Sequence, residues 1–218
     1  MEPYSDGTRD YEPIHPRGFD WRGFLKKIWA PIAVVAVLAV KFGAASVKFF
    51  SIFVAVGGYA LIWGWRFAIG FVLLILVHEL GHYLEALRQG LNPSLPVFIP
   101  FIGAYVAIRD ARIGPWQHAL VAIAGPVAGA LGTAAVWVVA EAQDSDFLLA
   151  LAYTGFLLNL FNLIPIGFLD GGAIARSIGY LRRGGAPARA AVVGVAYAGL
   201  ALLLVGGMFA THVAQDRL

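Results

Sequence analysis

The sequence contains no cysteine. Disulfides and thiolate metal sites are therefore excluded, and any metal must be held by His, Asp or Glu. Charge is also scarce. Only 13% of the 218 residues are Asp, Glu, Lys or Arg, against about 25% in soluble domains. Apolar types supply 60%, leaving too little polar surface to cover a water-soluble sphere. An ordinary cytosolic enzyme is excluded, as are disorder, collagen and coiled coil. A formal net charge of +3 is too small to suggest nucleic acid as a partner. What the sequence has in quantity is apolar runs, and their natural solvent is lipid.

Residues 1–27 differ from the rest. They mix Arg9, Arg17, Arg22, Lys26 and Lys27 with Glu2, Asp6, Asp10, Glu12 and Asp20, and Pro3, Pro13 and Pro16 break any long helix. No apolar run follows a basic start, so a signal peptide is not indicated. A mobile, solvated tail is expected over 1–27 and a membrane-embedded domain over 28–218. Trp29–Val40 is apolar, but at 1.5 Å per residue it spans roughly 18 Å, short of the roughly 30 Å hydrocarbon core. It reads as an interfacial or re-entrant helix. Better spans follow at about Val47–Gly64, Trp65–Leu87, Trp116–Ala140, Phe147–Ile166 and Ala190–Thr211.

This topology sorts the positive charges. Lys41, Lys48, Arg88, Arg109, Arg112, Arg176, Arg182, Arg183 and Arg189 fall on one face, Arg66 and Arg217 on the other. The positive-inside rule makes the first face cytoplasmic. The segment Val97–Ile108 is too interrupted to span. Its β-branched and aromatic residues suggest a hairpin turning near Gly103. The expected fold is an all-α polytopic membrane protein, with five or six transmembrane helices and one small membrane-associated β hairpin.

The strongest chemical signal is His78-Glu79-Leu80-Gly81-His82, an H-E-x-x-H motif inside an apolar helix. On a helix His78 and His82 share one face, so two imidazoles can grip one metal ion. Glu79 is rotated about 100° from His78 and can address water in the metal's open position. Zinc lowers the pKa of such water to about 7, and the carboxylate takes the proton. The alternative is a chance match, or polar groups bonded to neighbouring helices. Cost argues against it, because a charged residue in mid-membrane costs about 2.5–3.5 kcal/mol on insertion scales. A catalytic zinc needs a third protein ligand. Asp170 is a candidate, just past an apolar span whose helix Pro165 and Gly167 break. A helix cap at the membrane surface is the other reading of that aspartate.

The pair His78-Glu79-Leu80-Gly81-His82 and Asn162-Leu163-Ile164-Pro165-Ile166-Gly167-Phe168-Leu169-Asp170-Gly171 resembles the two signatures of the site-2 protease family. These are intramembrane zinc metalloproteases that cut transmembrane proteins. The resemblance covers roughly residues 47–180. It implies His78, His82 and Asp170 as zinc ligands, Glu79 as general base, and Asn162 as a group that holds the substrate backbone or the oxyanion. It also implies one zinc ion, a transmembrane protein substrate and a lipid bilayer as partners. The expected location is the cell membrane, with the active site toward the cytoplasm. The chain departs from the family pattern at Gly129, where an asparagine is common, and at Gly167-Phe168, where proline is common. Without PDZ or CBS modules it would be a minimal member.

Two readings from other classes compete with the enzyme. One is a metal-binding transporter, although no paired repeats appear. The other is an inactive scaffold for membrane helices, against which the intact Glu79 argues. Among other polar residues, Glu85 reads as solvated at a helix end, His118 as interfacial, and His15 and His212 as solvated. Asn159, one turn before Asn162, is suited to pairing with a neighbouring helix.

Overall fold

The computed structural model describes residues 43–109 and 113–215, with isolated helical positions at 29, 33 and 37. The expected tail 1–27, most of Trp29–Val40, and Lys41, Arg112 and Arg217 lie outside the described residues. Within 43–215 the chain forms α1 (Ala44–Arg88), a hairpin of β1 (Val97–Ile99) and β2 (Gly103–Tyr105), α2 (Pro115–Ala142), α3 (Asp146–Asn162), α4 (Asp170–Arg183) and α5 (Pro187–Gln215).

The helix α1 is two arms joined at Gly64, whose φ of 78° and ψ of 161° are not helical. Positive φ is accessible to glycine at little steric cost. The arms then fold back on each other. Along a straight helix Tyr59 and Phe71 would stand about 18 Å apart, yet their rings meet edge-to-face with centroids 5.0 Å apart. Trp63 packs on Phe71 in the same way at 5.5 Å. This returns Lys48 and Arg88 to one end and leaves Arg66 at the other, as the charge sorting requires. Arg66 sits there over the Phe147 ring, 5.1 Å from its centroid.

Capping and proline explain the other boundaries. Pro115 opens α2 at a position where its missing N–H costs nothing. The Ser145 hydroxyl accepts from Leu148 N at the start of α3. The expected span Phe147–Ile166 stops four residues early, at Asn162. Pro165 disfavours helical geometry in the residue before it, and the chain turns instead through residues 163–169. The helix α4 has no counterpart among the expected spans. Asp170 in its first turn and Arg182 and Arg183 in its last complement the helix dipole. It is amphipathic, burying Ile174, Ser177 and Leu181 and exposing Tyr180, Arg182 and Arg183. The hairpin exists, but its turn is Pro100-Phe101-Ile102, and Gly103 already pairs with Ile99. Phe101 and Gly103 both take positive φ, 66° and 121°.

Among the described residues three helices are long and apolar enough to cross a membrane: Lys48–Arg88, Pro115–Ala142 and Pro187–Ala214. The first contains two of the expected spans. Asp146–Asn162 is apolar but shorter. The outward surface carries Leu61, Ile62, Trp65, Leu131, Val138, Val195 and Leu202, while His78, Glu79, Thr133, Asn159 and Ser177 are buried. So apolar a surface, around an interior that is mostly apolar but also holds these polar groups, is not the arrangement that water selects. The bundle interior is where α1, α2, α3 and the start of α4 meet, and it holds the chemistry.

Candidate metal centre

His78, Glu79 and His82 lie on the second arm of α1, His78 and Glu79 at 3% and 6% exposure. Each ring has an acceptor behind it. His82 Nδ1 donates to the Val121 carbonyl at 2.8 Å. That carbonyl is an acceptor only, so Nδ1 carries the proton and Nε2 the lone pair. It lies one turn before Pro126, which has no N–H for the neighbouring Ala122 carbonyl. His78 Nδ1 faces Asn159 Oδ1 at 2.8 Å, which leaves His78 Nε2 with its lone pair as well.

The two Nε2 atoms are 3.1 Å apart. Asp170 brings one oxygen to each: Oδ2 lies 3.1 Å from His78 Nε2, and Oδ1 lies 3.2 Å from His82 Nε2. Asp170 Oδ2 is buried and has no hydrogen-bond partner among the described residues. Lone pairs of four atoms thus point into one small space, an arrangement that repels itself unless a cation sits among them. Ligands about 2.0–2.1 Å from a tetrahedral zinc stand about 3.3 Å from each other, close to the separations observed. Donor atoms of His78, Glu79 and His82 all lie within 4.8 Å of one another. With both Nε2 atoms bearing lone pairs, neither ring offers Asp170 a proton, so its buried carboxylate needs a cation to face.

The close approach of α2 depends on missing side chains. A Cβ on Gly125 would lie 2.1 Å from His82 Nε2, and one on Gly81 would lie 2.3 Å from the Ala124 carbonyl oxygen. Neither could be alanine without moving the ring or the helix. The loop 163–169 that delivers Asp170 is pinned in turn. The Tyr197 hydroxyl donates to the Leu163 carbonyl, and Arg176 Nη1 donates to the Gly167 carbonyl at 2.8 Å.

Asn162 is not drawn into this cluster. It ends α3, and its Nδ2 donates to the Leu158 carbonyl of its own helix at 3.2 Å. Glu85 stays apart too, accepting from Arg88 Nε and Nη2, each at 2.7 Å, and from Gln89 Nε2 at 2.8 Å. His118 is half-buried and reaches Ser177 on α4, its Nδ1 3.0 Å from Oγ. His212 is exposed, and His15 lies outside the described residues. Asn159 does pair with a neighbouring helix, and the partner is His78. Sequence reasoning missed the parts played by the Val121 carbonyl and by Gly125 and Gly129. A backbone carbonyl carries no sequence signal. The two glycines do, being four residues apart and so on one helix face.

This donor set, two imidazoles and a carboxylate with a second carboxylate beside them, suits zinc in a hydrolase-type centre. The family model for peptidase family M50 matches residues 66–144 and 139–206. The chain belongs to peptidase family M50. It is 33% identical to sll0528 of Synechocystis over 128 residues, 56% of the chain and 33% of the relative. To Rip3 of Mycobacterium tuberculosis it is 33% identical over 163 residues, 69% of the chain and 40% of the relative. To MJ0392 of Methanocaldococcus jannaschii it is 34% identical over 133 residues, 56% of the chain and 38% of the relative. The designations of all three name a zinc metalloprotease. The chain spans well under half the length of these relatives. No solved structure matches it. Zinc is the metal that the family and its relatives imply.

Proposed function

We propose that the protein is a membrane-embedded zinc endopeptidase that cuts transmembrane protein substrates, with His78, His82 and Asp170 as the metal ligands. The observation that carries this reading is the convergence of both Nε2 atoms and both Asp170 oxygens inside a bundle of apolar helices. When bound, zinc supplies Lewis acidity toward the scissile carbonyl and acidifies water. Glu79 is the general base. It takes the proton of the attacking water and afterwards returns it to the leaving amine nitrogen. Its near-complete burial keeps that carboxylate out of bulk water. Asn162, eight residues before Asp170, donates to the oxyanion once its Nδ2 swings away from the Leu158 carbonyl.

A helical peptide bond is shielded, so the substrate must unwind before it is cut. The hairpin supports an added-strand mode of capture. On its β1 edge Phe98 N already donates to Ser51 Oγ of α1 at 3.0 Å. Among the described residues no further strand pairs with β2, so its outer edge can receive an extended segment. The clustering of Lys48 and Arg88 at one end of the folded-back arms favours a cytoplasmic orientation of that end.

Glu79→Gln tests the mechanism. Cleavage of a transmembrane substrate in detergent or vesicles should fall by at least about 10²–10⁴-fold, with zinc content unchanged. Cleavage at the wild-type rate in that variant would remove Glu79 from the chemistry. A protein that binds zinc and cuts no transmembrane substrate would turn the reading toward transport.

A further inference from the structure

Asn159 is fully buried on α3, and the mechanism above makes no use of it. Its carboxamide has two partners of opposite kind. Nδ2 donates to the Gly155 carbonyl at 2.8 Å, while Oδ1 lies 2.8 Å from His78 Nδ1. The Gly155 carbonyl can only accept, so the oxygen end of the amide must be the one that faces His78. His78 Nδ1 therefore donates, and the free lone pair is confined to Nε2, the nitrogen 3.1 Å from Asp170 Oδ2.

The space for this amide comes from α2. A Cβ on Gly129 would lie 2.0 Å from Asn159 Oδ1. Thr133, one turn further along α2, donates to the Gly129 carbonyl at 2.7 Å. Its hydroxyl would be 2.5 Å from a Cβ on Gly155. Gly129 and Gly155 thus let α2 and α3 close on Asn159 from both sides, leaving the amide one orientation.

We infer that Asn159, seated in the gap left by Gly129, is a positioning residue for zinc that holds His78 with Nε2 turned to the metal. The inference rests on the proposed role of His78 as a ligand. Acceptors behind a ligating imidazole set its tautomer and basicity, and their loss lowers metal affinity by about 10–100-fold.

The test uses the full chain in detergent micelles. Zinc affinity is read by competition with a chromogenic chelator, and site geometry by the visible spectrum of the cobalt-substituted protein. Asn159→Leu keeps the volume and removes the acceptor. It should bind zinc about 10–100-fold more weakly and alter the cobalt spectrum. Asn159→Asp loses the bond to the Gly155 carbonyl but keeps an acceptor for His78 Nδ1, and should restore affinity to near wild type. Gly129→Ala should weaken zinc as Asn159→Leu does. Wild-type affinity in Asn159→Leu overturns the inference, as does an Asn159→Asp protein no better than Asn159→Leu. If Asn159→Leu does not fold, wild-type affinity in Gly129→Ala overturns it instead. His78→Ala, measured beside them, separates the two levels. Wild-type zinc binding there defeats the ligand assignment itself, whereas zinc lost there but kept in Asn159→Leu defeats only the positioning role.

Discussion

The helices α2 and α5 are both long, apolar and rich in glycine, yet their glycines live in opposite worlds. On α2, a Cβ at Gly125 or Gly129 would collide with a polar side chain, His82 or Asn159. On α5, Gly194, Gly199 and Gly206 have nothing within 4 Å of an added Cβ. One helix is pressed onto the chemistry, and the other presents most of its surface outward, with Val192, Val195, Leu202 and Leu203 exposed. Glycine on α2 is thus a spacing device for the metal centre. At these three α5 positions nothing in the packing requires it.

The sharpest way to break that comparison is to make one substitution in both places. Gly125→Ala should cost roughly 1–3 kcal/mol through overpacking and abolish stoichiometric zinc binding, because the methyl falls on His82 Nε2. Gly199→Ala should leave zinc untouched and, if anything, stabilise the helix by up to about 1 kcal/mol. Thermal unfolding in detergent with metal analysis reads both effects. Equal outcomes at the two sites would show that α2 can yield and that the close approach is not required.

A second test changes protons rather than packing. The proposed ligation needs both imidazoles neutral and Asp170 ionised, so zinc affinity should fall as pH drops below the ordinary His range, near about 6.5. An ordinary carboxylate titrates near about 4, well below the histidines, so the loss should begin in the histidine range. Chelator competition across pH 5–8 (an interval chosen about the histidine value) distinguishes these profiles.

Two smaller effects probe how the site is delivered and approached. Tyr197→Phe removes the donor to the Leu163 carbonyl and should cost about 1 kcal/mol, with zinc binding more weakened than the fold. Ser51→Ala removes the acceptor for Phe98 N and should cost about 1 kcal/mol or less. If the hairpin receives substrate, that change raises KM and leaves kcat nearly unaltered. A change confined to kcat would detach the hairpin from substrate capture.

The motif at 78–82 was legible because helical geometry alone places two imidazoles on one face. The apolar runs were legible because composition selects their solvent. The reach of α4 was not, since a short amphipathic helix leaves no long run to recognise. The hairpin was visible, and its turn lies beside Gly103 as expected. Less legible was that Phe101 as well as Gly103 takes positive φ, in a turn packed on α1, where Pro100 crowds Gly58 and Phe101 meets the Tyr59 ring.

From the order of its residues alone, this chain was committed to apolar helices, to a break at Pro165 and to an imidazole pair on one of those helices. Local geometry dictates each of these within a turn or two of backbone. Whether Asp170 would face that pair, which atom would stand behind each ring, and what Gly125 and Gly129 make room for are contacts between segments 30 or more residues apart. No local rule sets such contacts. They follow only once α1, α2, α3 and the loop before α4 are packed together, because the position of each depends on the volume the others leave.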